Sequence, residues 1–387
     1  MSGFVRIGSR LPVGIRRGIR RLPGFDRLRG WLVDRPRLPG TVTGELRAVV
    51  YLPTWAHWDV MRQRPQYLLS AFATAGHPVY FVDHMERGVR QDGGVTICGS
   101  LRDVPRSGVI IYFHFAPLRH LIDNFEDAVV VYDILDDLSI YESEEDGLPE
   151  GRKVRSHHPR VIERADVVMV SNPVLAERHR AERPDLIVVN NGVDPAAFGE
   201  PAPRPSDLPS AESGTPIIGY HGMVSTWFDF DLMEGVIEAR SGWEFVLVGP
   251  IDPEVVERVE MLQERPNVTV LGERPSEAMP GYVQGFDVGV IWFEVDRMTE
   301  GVTPLKMYEY MAGGVPCVAT PIPACVGEPL VETAGDVAAM VSAIAKALGT
   351  DDETLRAAAK EHSWEKSLIP ALDRLDELDL RRVTDDQ

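Results

Sequence analysis

Lys306 and Glu309 stand three residues apart, just after Thr303-Pro304 and just before Gly313-Gly314 and the apolar run Val315-Pro316-Cys317-Val318-Ala319. Thr303 suits a helix N-cap and Pro304 the first helical position, because proline lacks an N–H that the first turn leaves unbonded and already holds a helical φ. The glycine pair ends the helix. A lysine in a first turn faces the unpaired amides and the positive end of the helix dipole, so Lys306 calls for an anion. A phosphate would satisfy the ammonium and the amides together, and the preceding Glu300-Gly301-Val302-Thr303 stretch lets a ligand approach the backbone closely. Glu309 shares a helix face with Lys306, and its carboxylate can accept bonds from a pair of sugar hydroxyls. One helix could therefore hold the phosphate and the ribose of a nucleotide. A solvated Lys306/Glu309 surface pair has the same spacing.

The elements around this helix read as alternating buried strands and amphipathic helices. In the second half, strands are expected near 217–221, 244–248, 267–271, 286–291 and 315–319, with a glycine turn from Gly219 to Gly222 after the first. In the first half, Arg47 to Leu52, Val79 to Val82, Val109 to Phe113, Val129 to Tyr132, Ala165 to Ser171 and Leu186 to Val189 are short apolar, β-branched runs. This is the pattern of parallel α/β units, in which ligands sit beyond the carboxyl ends of strands. That rule places His57, Trp58, Asp59 and Arg64 after the first strand, His114 after Phe113, and Asp133, Asp136 and Asp137 after Tyr132. Trp55 and Trp58 could equally cover a sheet edge. Asn191-Gly192 reads as a positive-φ exit from a strand. Asp229-Phe230-Asp231 spells an acidic metal-binding triplet, yet its place at a helix start reads as capping.

The residues Pro304, Lys306, Glu309, Tyr310, Ala312, Gly314 and Pro316 resemble the donor-binding motif of retaining GT-B glycosyltransferases, the group that includes glycogen synthase and many bacterial cell-envelope enzymes. The resemblance extends from about residue 47 to 380, through the Gln63-Arg64-Pro65-Gln66 and Ala165-Asp166 to Asn191-Gly192-Val193-Asp194 segments. It implies an α/β GT-B fold, two Rossmann-like parallel-sheet domains facing a central cleft. It further implies transfer of a sugar from a nucleotide-sugar donor to a glycan or lipid-linked acceptor, with retention. By the same resemblance Lys306 contacts the donor diphosphate, with Arg274 as a second contact. Glu309 contacts the ribose, His114 the sugar or transferred group, and Gly222, Glu300, Gly301, Val302 and Thr303 line the donor. Glu300 departs from the family spacing by one residue, with Gly301 in the expected place. His57, Trp58, Asp59, Arg64, Asp133 and Asp136 fall on the acceptor side. No cofactor or metal is expected. An epimerase acting on a nucleotide sugar and a catalytically silent partner protein are the alternatives.

Composition narrows the field. The chain of 387 residues carries a net charge of −19, which argues against general nucleic-acid binding. Cys98, Cys317 and Cys325 form no CxxC pair and suggest a reducing, cytoplasmic setting. No apolar run is long enough to span a membrane. Residues 1–40 alone are basic, with Arg6, Arg10, Arg16, Arg17, Arg20, Arg21, Arg27, Arg29, Arg35 and Arg37 against Asp26 and Asp34, among scattered apolar residues. Such an arm suits peripheral contact with an anionic membrane. The expected organisation is an arm (1–44), an acceptor-side domain (45–198), an exposed linker (199–215), a donor domain (216–349) and C-terminal helices packing back on the first domain (350–387).

Overall fold

The computed structural model describes residues 46–54, 56–59, 62–137, 149–210 and 214–385. The basic arm, Trp55 and the final residues Asp386 and Gln387 lie outside the described residues. The chain divides into two compact units, the first running to Asn190 and resuming at Trp364, the second spanning Asn191–Ser363.

The first unit is built on an eight-stranded sheet. Its strands are β1 Ala48–Tyr51, β2 Val79–Val82, β3 Val89–Asp92, β4 Val95–Cys98, β5 Val109–Phe113, β6 Val129–Ile134, β7 Val167–Val170 and β8 Ile187–Val188. They lie in the order β3-β4-β2-β1-β5-β6-β7-β8, parallel throughout except for the antiparallel β3–β4 pair. The near-continuous apolar runs follow from burial on both faces: β1, β5 and β6 are buried at every position. Strand order reverses between β1 and β5, so residues after Tyr51 and Phe113 gather at the switch point where such sheets bind ligands. The helix Trp364–Asp385 belongs to this unit, with Trp364 stacked on Tyr67 at 5.1 Å and Arg47 bonded to Asp379 at 2.8 Å.

The strands expected from sequence did not include β3 and β4. Their signal was Asp92-Gly93-Gly94, a two-glycine hairpin turn with φ of 54° and 82°, but exposed β3 has no apolar run to mark it.

The second unit carries six parallel strands, β9 Ile217–His221, β10 Glu244–Val248, β11 Val268–Gly272, β12 Val288–Ile291, β13 Cys317–Ala319 and β14 Val331–Thr333, in the order β11-β10-β9-β12-β13-β14. This is the doubly wound arrangement, with its switch point between β9 and β12. Two glycines on these strands let aromatic rings press onto the sheet: a Cβ at Gly289 would fall 2.5 Å from the Tyr310 ring and one at Gly219 2.1 Å from that of Phe286.

The division differs from the expected boundaries. The segment after Asn190 belongs to the second unit: Asp194 caps the helix Pro195–Gly199, and Val193 N–H donates to the His362 carbonyl at 2.9 Å. Residues 200–210 are largely exposed, as expected of a linker, but they form a strap anchored to the second unit at several points. Gln284 accepts from Ala202 N–H at 3.0 Å and donates to the Phe198 and Glu200 carbonyls, while Leu208 is buried over Gly285. Gly281 leaves room for Pro203, whose carbonyl would lie 2.3 Å from an added Cβ. The helix Asp352–Ala359 also stays with the second unit, held by Arg356. Gly192 is absent from the positive-φ residues, so the expected strained exit at Asn191-Gly192 is not used. Asn191 instead donates its side-chain amide to the Thr303 carbonyl at 2.7 Å.

Candidate functional site

In the second unit the helix Leu305–Gly313 has Pro304 at its N-cap, one place later than the sequence suggests, and no side chain caps it. Among the described residues the N–H groups of Leu305 and Lys306 have no acceptor, which is the state of an open helix start. The other end is closed. Gly314 takes a left-handed φ of 74°, and the Arg356 guanidinium donates to the carbonyls of Ala312 and Gly313 at 3.1 and 2.7 Å.

Lys306 is half-buried, and its ammonium has no carboxylate within ion-pair distance among the described residues. It lies over the Tyr220 and Phe293 rings, 5.1 and 4.8 Å from their centroids. Burial pushes it down to about 8, against the opposing field of Glu309. Gly222, directly after β9, adopts φ +113° and brings its backbone against this lysine; an added Cβ would stand 3.1 Å from Cε and 3.4 Å from Nζ. Gly249, after β10, presses on Gly222 in turn, its hypothetical Cβ only 2.1 Å from the Gly222 carbonyl. The result is a desolvated cation beside two glycine turns and an open helix start, which favours an anionic ligand.

Glu309 is buried on the same helix, its carboxyl pushed up to about 7 by burial, with Lys306 pulling the other way. Its Oε2 lies 3.2 Å from Nε2 of His221, an approach that lacks hydrogen-bond geometry. His221 is pushed down to about 3 by burial and by Lys306, so it is neutral, and its backbone N–H donates to Tyr310 Oη at 3.2 Å. His221, Tyr220, Phe293 and Gly249 were not among the sequence candidates. Only Gly249 left a local sign, in Val248-Gly249-Pro250 at the end of a buried strand.

The residues ahead of the helix depart from expectation. Gly301 and Val302 spend their N–H groups on the Met298 and Thr299 carbonyls at 3.1 Å each, and Thr303 offers its carbonyl to Asn191. The Gly301 and Val302 amides are thus closed to a diphosphate. Glu300 ends the short helix Arg297–Glu300, whose capping box joins Asp296 and Thr299. Arg274 is bound to Asp207 at 2.9 and 3.1 Å and to Tyr282 Oη at 3.1 Å, a surface network tying the strap to the domain. The diphosphate role expected of Arg274 therefore competes with an existing anion. Asp229 caps the helix Phe230–Ala239 through Leu232 N–H, and Asp231 pairs with Arg258.

In the first unit, His114 follows β5 and its Nδ1 lies 2.9 Å from Tyr51 Oη. Burial holds it down to about 4, with Asp133 raising and Arg64 lowering it, so the imidazole is neutral. Arg64 and Asp133, expected on the acceptor side, form a buried bidentate pair at 2.9 and 3.0 Å, and Tyr112 Oη donates to the same carboxylate at 2.7 Å. Both charges are thus consumed internally. Asp136 is exposed as a residue, yet enclosure of its carboxyl pushes it up to about 6 against the pull of Arg64. Asp137 is buried on Arg178.

Trp58 is buried core, not a surface contact: its ring packs edge-on to Phe81 and its indole N–H donates to Asp92 at 2.6 Å. Asp59 is exposed and bound by Arg90 at 2.6 Å. His57 is half-buried, its Nδ1 2.9 Å from Asp83 Oδ1. Of the six acceptor-side candidates, Trp58, Arg64 and Asp133 are taken up by the core or a buried pair, while His57, Asp59 and Asp136 keep partly or fully exposed positions.

Substituting Gly222 tests the glycine–lysine contact. Gly222→Ala should destabilise the second unit by about 1–3 kcal/mol, since φ is positive there and the new methyl displaces Lys306. The check is a melting curve with nucleotide binding measured alongside; an unchanged melting temperature and affinity would remove Gly222 from the site.

Two Rossmann-like parallel-sheet units in one chain constitute the fold of GT-B glycosyltransferases. Residues 220–350 match the family described as Glycosyl transferases group 1. A Bacillus subtilis (strain 168) protein, TuaH, named as a teichuronic acid biosynthesis glycosyltransferase, is 28% identical over 176 residues, covering 44% of each chain. The chain thus spans less than half the length of that relative. HepE of Anabaena, solved in complex with UDP-glucose, superposes with a TM-score of 0.61 at 13% identity, covering 85% of this chain and 100% of that one. An α,α-trehalose 6-phosphate synthase from Burkholderia multivorans does so at 0.59 and 13%, covering 87% and 100%. Among the described residues no helix is long and apolar enough to cross a membrane.

Proposed function

We propose that this protein is a retaining glycosyltransferase that takes a hexosyl group from a nucleotide sugar, UDP-linked in the first instance, and delivers it to a cell-envelope glycan or lipid-linked acceptor. The carrying observation is Lys306: a desolvated ammonium without a carboxylate partner among the described residues, packed against the Gly222 turn at an open helix start, in the segment that matches a glycosyltransferase family. HepE, solved with UDP-glucose bound, supports that nucleotide sugar as the first donor to try, and the name of TuaH supports an envelope polysaccharide.

In this reading the bond between the anomeric carbon and the diphosphate oxygen breaks as the acceptor oxygen bonds to the same face of the sugar. The acceptor's proton passes to the departing phosphate oxygen. Lys306 and the Leu305 and Lys306 amides stabilise the charge that develops on the diphosphate. Glu309 holds the ribose hydroxyls, where its raised affinity for a proton makes it a good partner for neutral O–H groups. Neutral His114 is suited to hydrogen-bond a sugar hydroxyl without adding charge next to a cation-like sugar.

The test is a nucleotide-sugar panel scored by thermal shift, followed by mass-spectrometric detection of transfer to envelope glycans. Stabilisation without transfer or donor hydrolysis would favour a silent binding protein, and sugar interconversion without acceptor an epimerase.

We further propose that turnover needs no divalent metal, since the lysine and helix start already supply positive charge and Asp229 and Asp231 are engaged in a cap and an ion pair. Initial rates should survive EDTA. Complete loss, restored by Mg²⁺ or Mn²⁺ and not by added salt, would refute this.

A further inference from the structure

Three ligand-type side chains that sugar transfer does not use converge inside the first unit. His158 comes from the helix Pro149–Arg164, His179 from the last turn of the helix Pro173–His179, and Glu182 from the turn that follows. His158 and His179 are 4% and 9% exposed. Nε2 of His158 and Nδ1 of His179 are fully enclosed and have no hydrogen-bond partner among the described residues. Glu182 Oε2 stands 3.9 Å from the first nitrogen and 3.6 Å from the second, and the ligand atoms of the three residues lie within 4.8 Å of one another.

Buried ring nitrogens are ordinarily bonded. Here two unbonded ones lie near the same carboxylate, which is itself half exposed. Two imidazoles, one carboxylate and an open solvent side are the donor set of a first-row divalent cation, Zn²⁺ above all. Ligands around a tetrahedral zinc at bonds of about 2.0–2.1 Å stand roughly 3.3 Å apart, so the spacing needs only modest closure. His158 is also prepared as a ligand. Tyr132 Oη at 3.0 Å engages its Nδ1 and leaves Nε2 for a metal.

The other cluster of this kind among the described residues, His57, Asp83 and His84, has its carboxylate already occupied, although His84 Nδ1 is likewise buried and unbonded. His57 bonds Asp83 directly, and both carboxylate oxygens already accept backbone N–H groups from Met85 and Trp58.

We propose that His158, His179 and Glu182 bind one divalent cation, Zn²⁺ by preference, which fastens the helix Pro149–Arg164 to the end of the helix Pro173–His179. The role is structural and separate from sugar transfer.

The experiment is titration of chelator-stripped full-length protein with Zn²⁺ by calorimetry, with Co²⁺ absorption as a coordination readout and melting curves alongside. Wild type should bind one Zn²⁺ per chain and melt at a higher temperature when loaded. His179→Ala and Glu182→Gln should each weaken binding by at least about 10-fold, the effect typical of losing even an outer-shell partner, and should erase the Co²⁺ visible bands or shift them. His57→Ala should bind as wild type does. Glu182 lies at the surface, so its variant keeps the test open should His179→Ala fail to fold by circular dichroism. No stoichiometric binding by folded wild type, binding unchanged in Glu182→Gln, or loss of binding in His57→Ala would overturn the proposal.

Discussion

Lys306→Ala is expected to lose about 100- to 1000-fold in turnover while melting no earlier than the parent protein, the scale of removing one donor that stabilises a developing anion. The two effects separate because the ammonium lies over two aromatic rings without a carboxylate in ion-pair reach among the described residues, so the resting fold gains little from its charge. Burial lowers the group from its ordinary 10.5 to about 8. Within that window the folded protein binds fewer protons at this site than the unfolded chain, so the lysine's contribution to stability rises with pH between those values. Below pH 8 the charged form is disfavoured by the fold, and there the variant should equal or exceed wild type in melting temperature. The same lysine should give donor kcat/KM an alkaline limb as the free enzyme loses its proton above about pH 8, and Lys306→Ala should lack that limb. Donor kinetics and melting curves from about pH 6 to 10 check both. Near-normal turnover with a melting temperature several degrees lower would make Lys306 a structural residue and send the search for the donor site elsewhere.

Arg64→Ala should destabilise the first unit by about 3–5 kcal/mol, because it strands the fully buried Asp133 carboxylate with the Tyr112 hydroxyl as its remaining side-chain donor among the described residues. For a unit of this size each kcal/mol shifts the midpoint by about 2–4 °C, so a fall of roughly 10 °C is expected. The chain holds two units, and two-state analysis of the whole would mislead. The measurement is therefore a calorimetric scan in which the transition of the first unit moves and that of the second stays. Removing both charges, as in Arg64→Met with Asp133→Leu, should recover much of the loss, since a buried pair contributes little net stability beyond a well-packed apolar replacement. A single variant melting as wild type does, or a double variant no better than the single, would show that Asp133 finds compensation elsewhere.

The sequence by itself determined the alternation of buried strands and helices, since a strand covered on both faces must be apolar throughout and a helix between such strands must be amphipathic. That sufficed to place β1, β2 and β5 to β13 within a few residues, and to put Lys306 and Glu309 on one helix behind Pro304. It also set Asp229 at a helix start, where capping is a local matter of one side chain and one amide. Tertiary structure decided what each polar residue faces. Arg64 and Asp133 are far apart in the chain and became a buried pair because β6 and the start of the helix Arg64–Thr74 meet at the carboxyl end of the sheet. Arg274 met Asp207 because the strap folds over Gly281 and Gly285, where a missing Cβ makes room that no pattern announces. The edge hairpin β3–β4 and the short β14 escaped notice because exposed or three-residue strands carry too few apolar positions to show a period. Lys306 shows the division most plainly: its place in a first helical turn is written in Thr303-Pro304-Leu305, but its desolvation over Tyr220 and Phe293, beside the backbone of Gly222, exists only once β9, β12 and that helix are packed together.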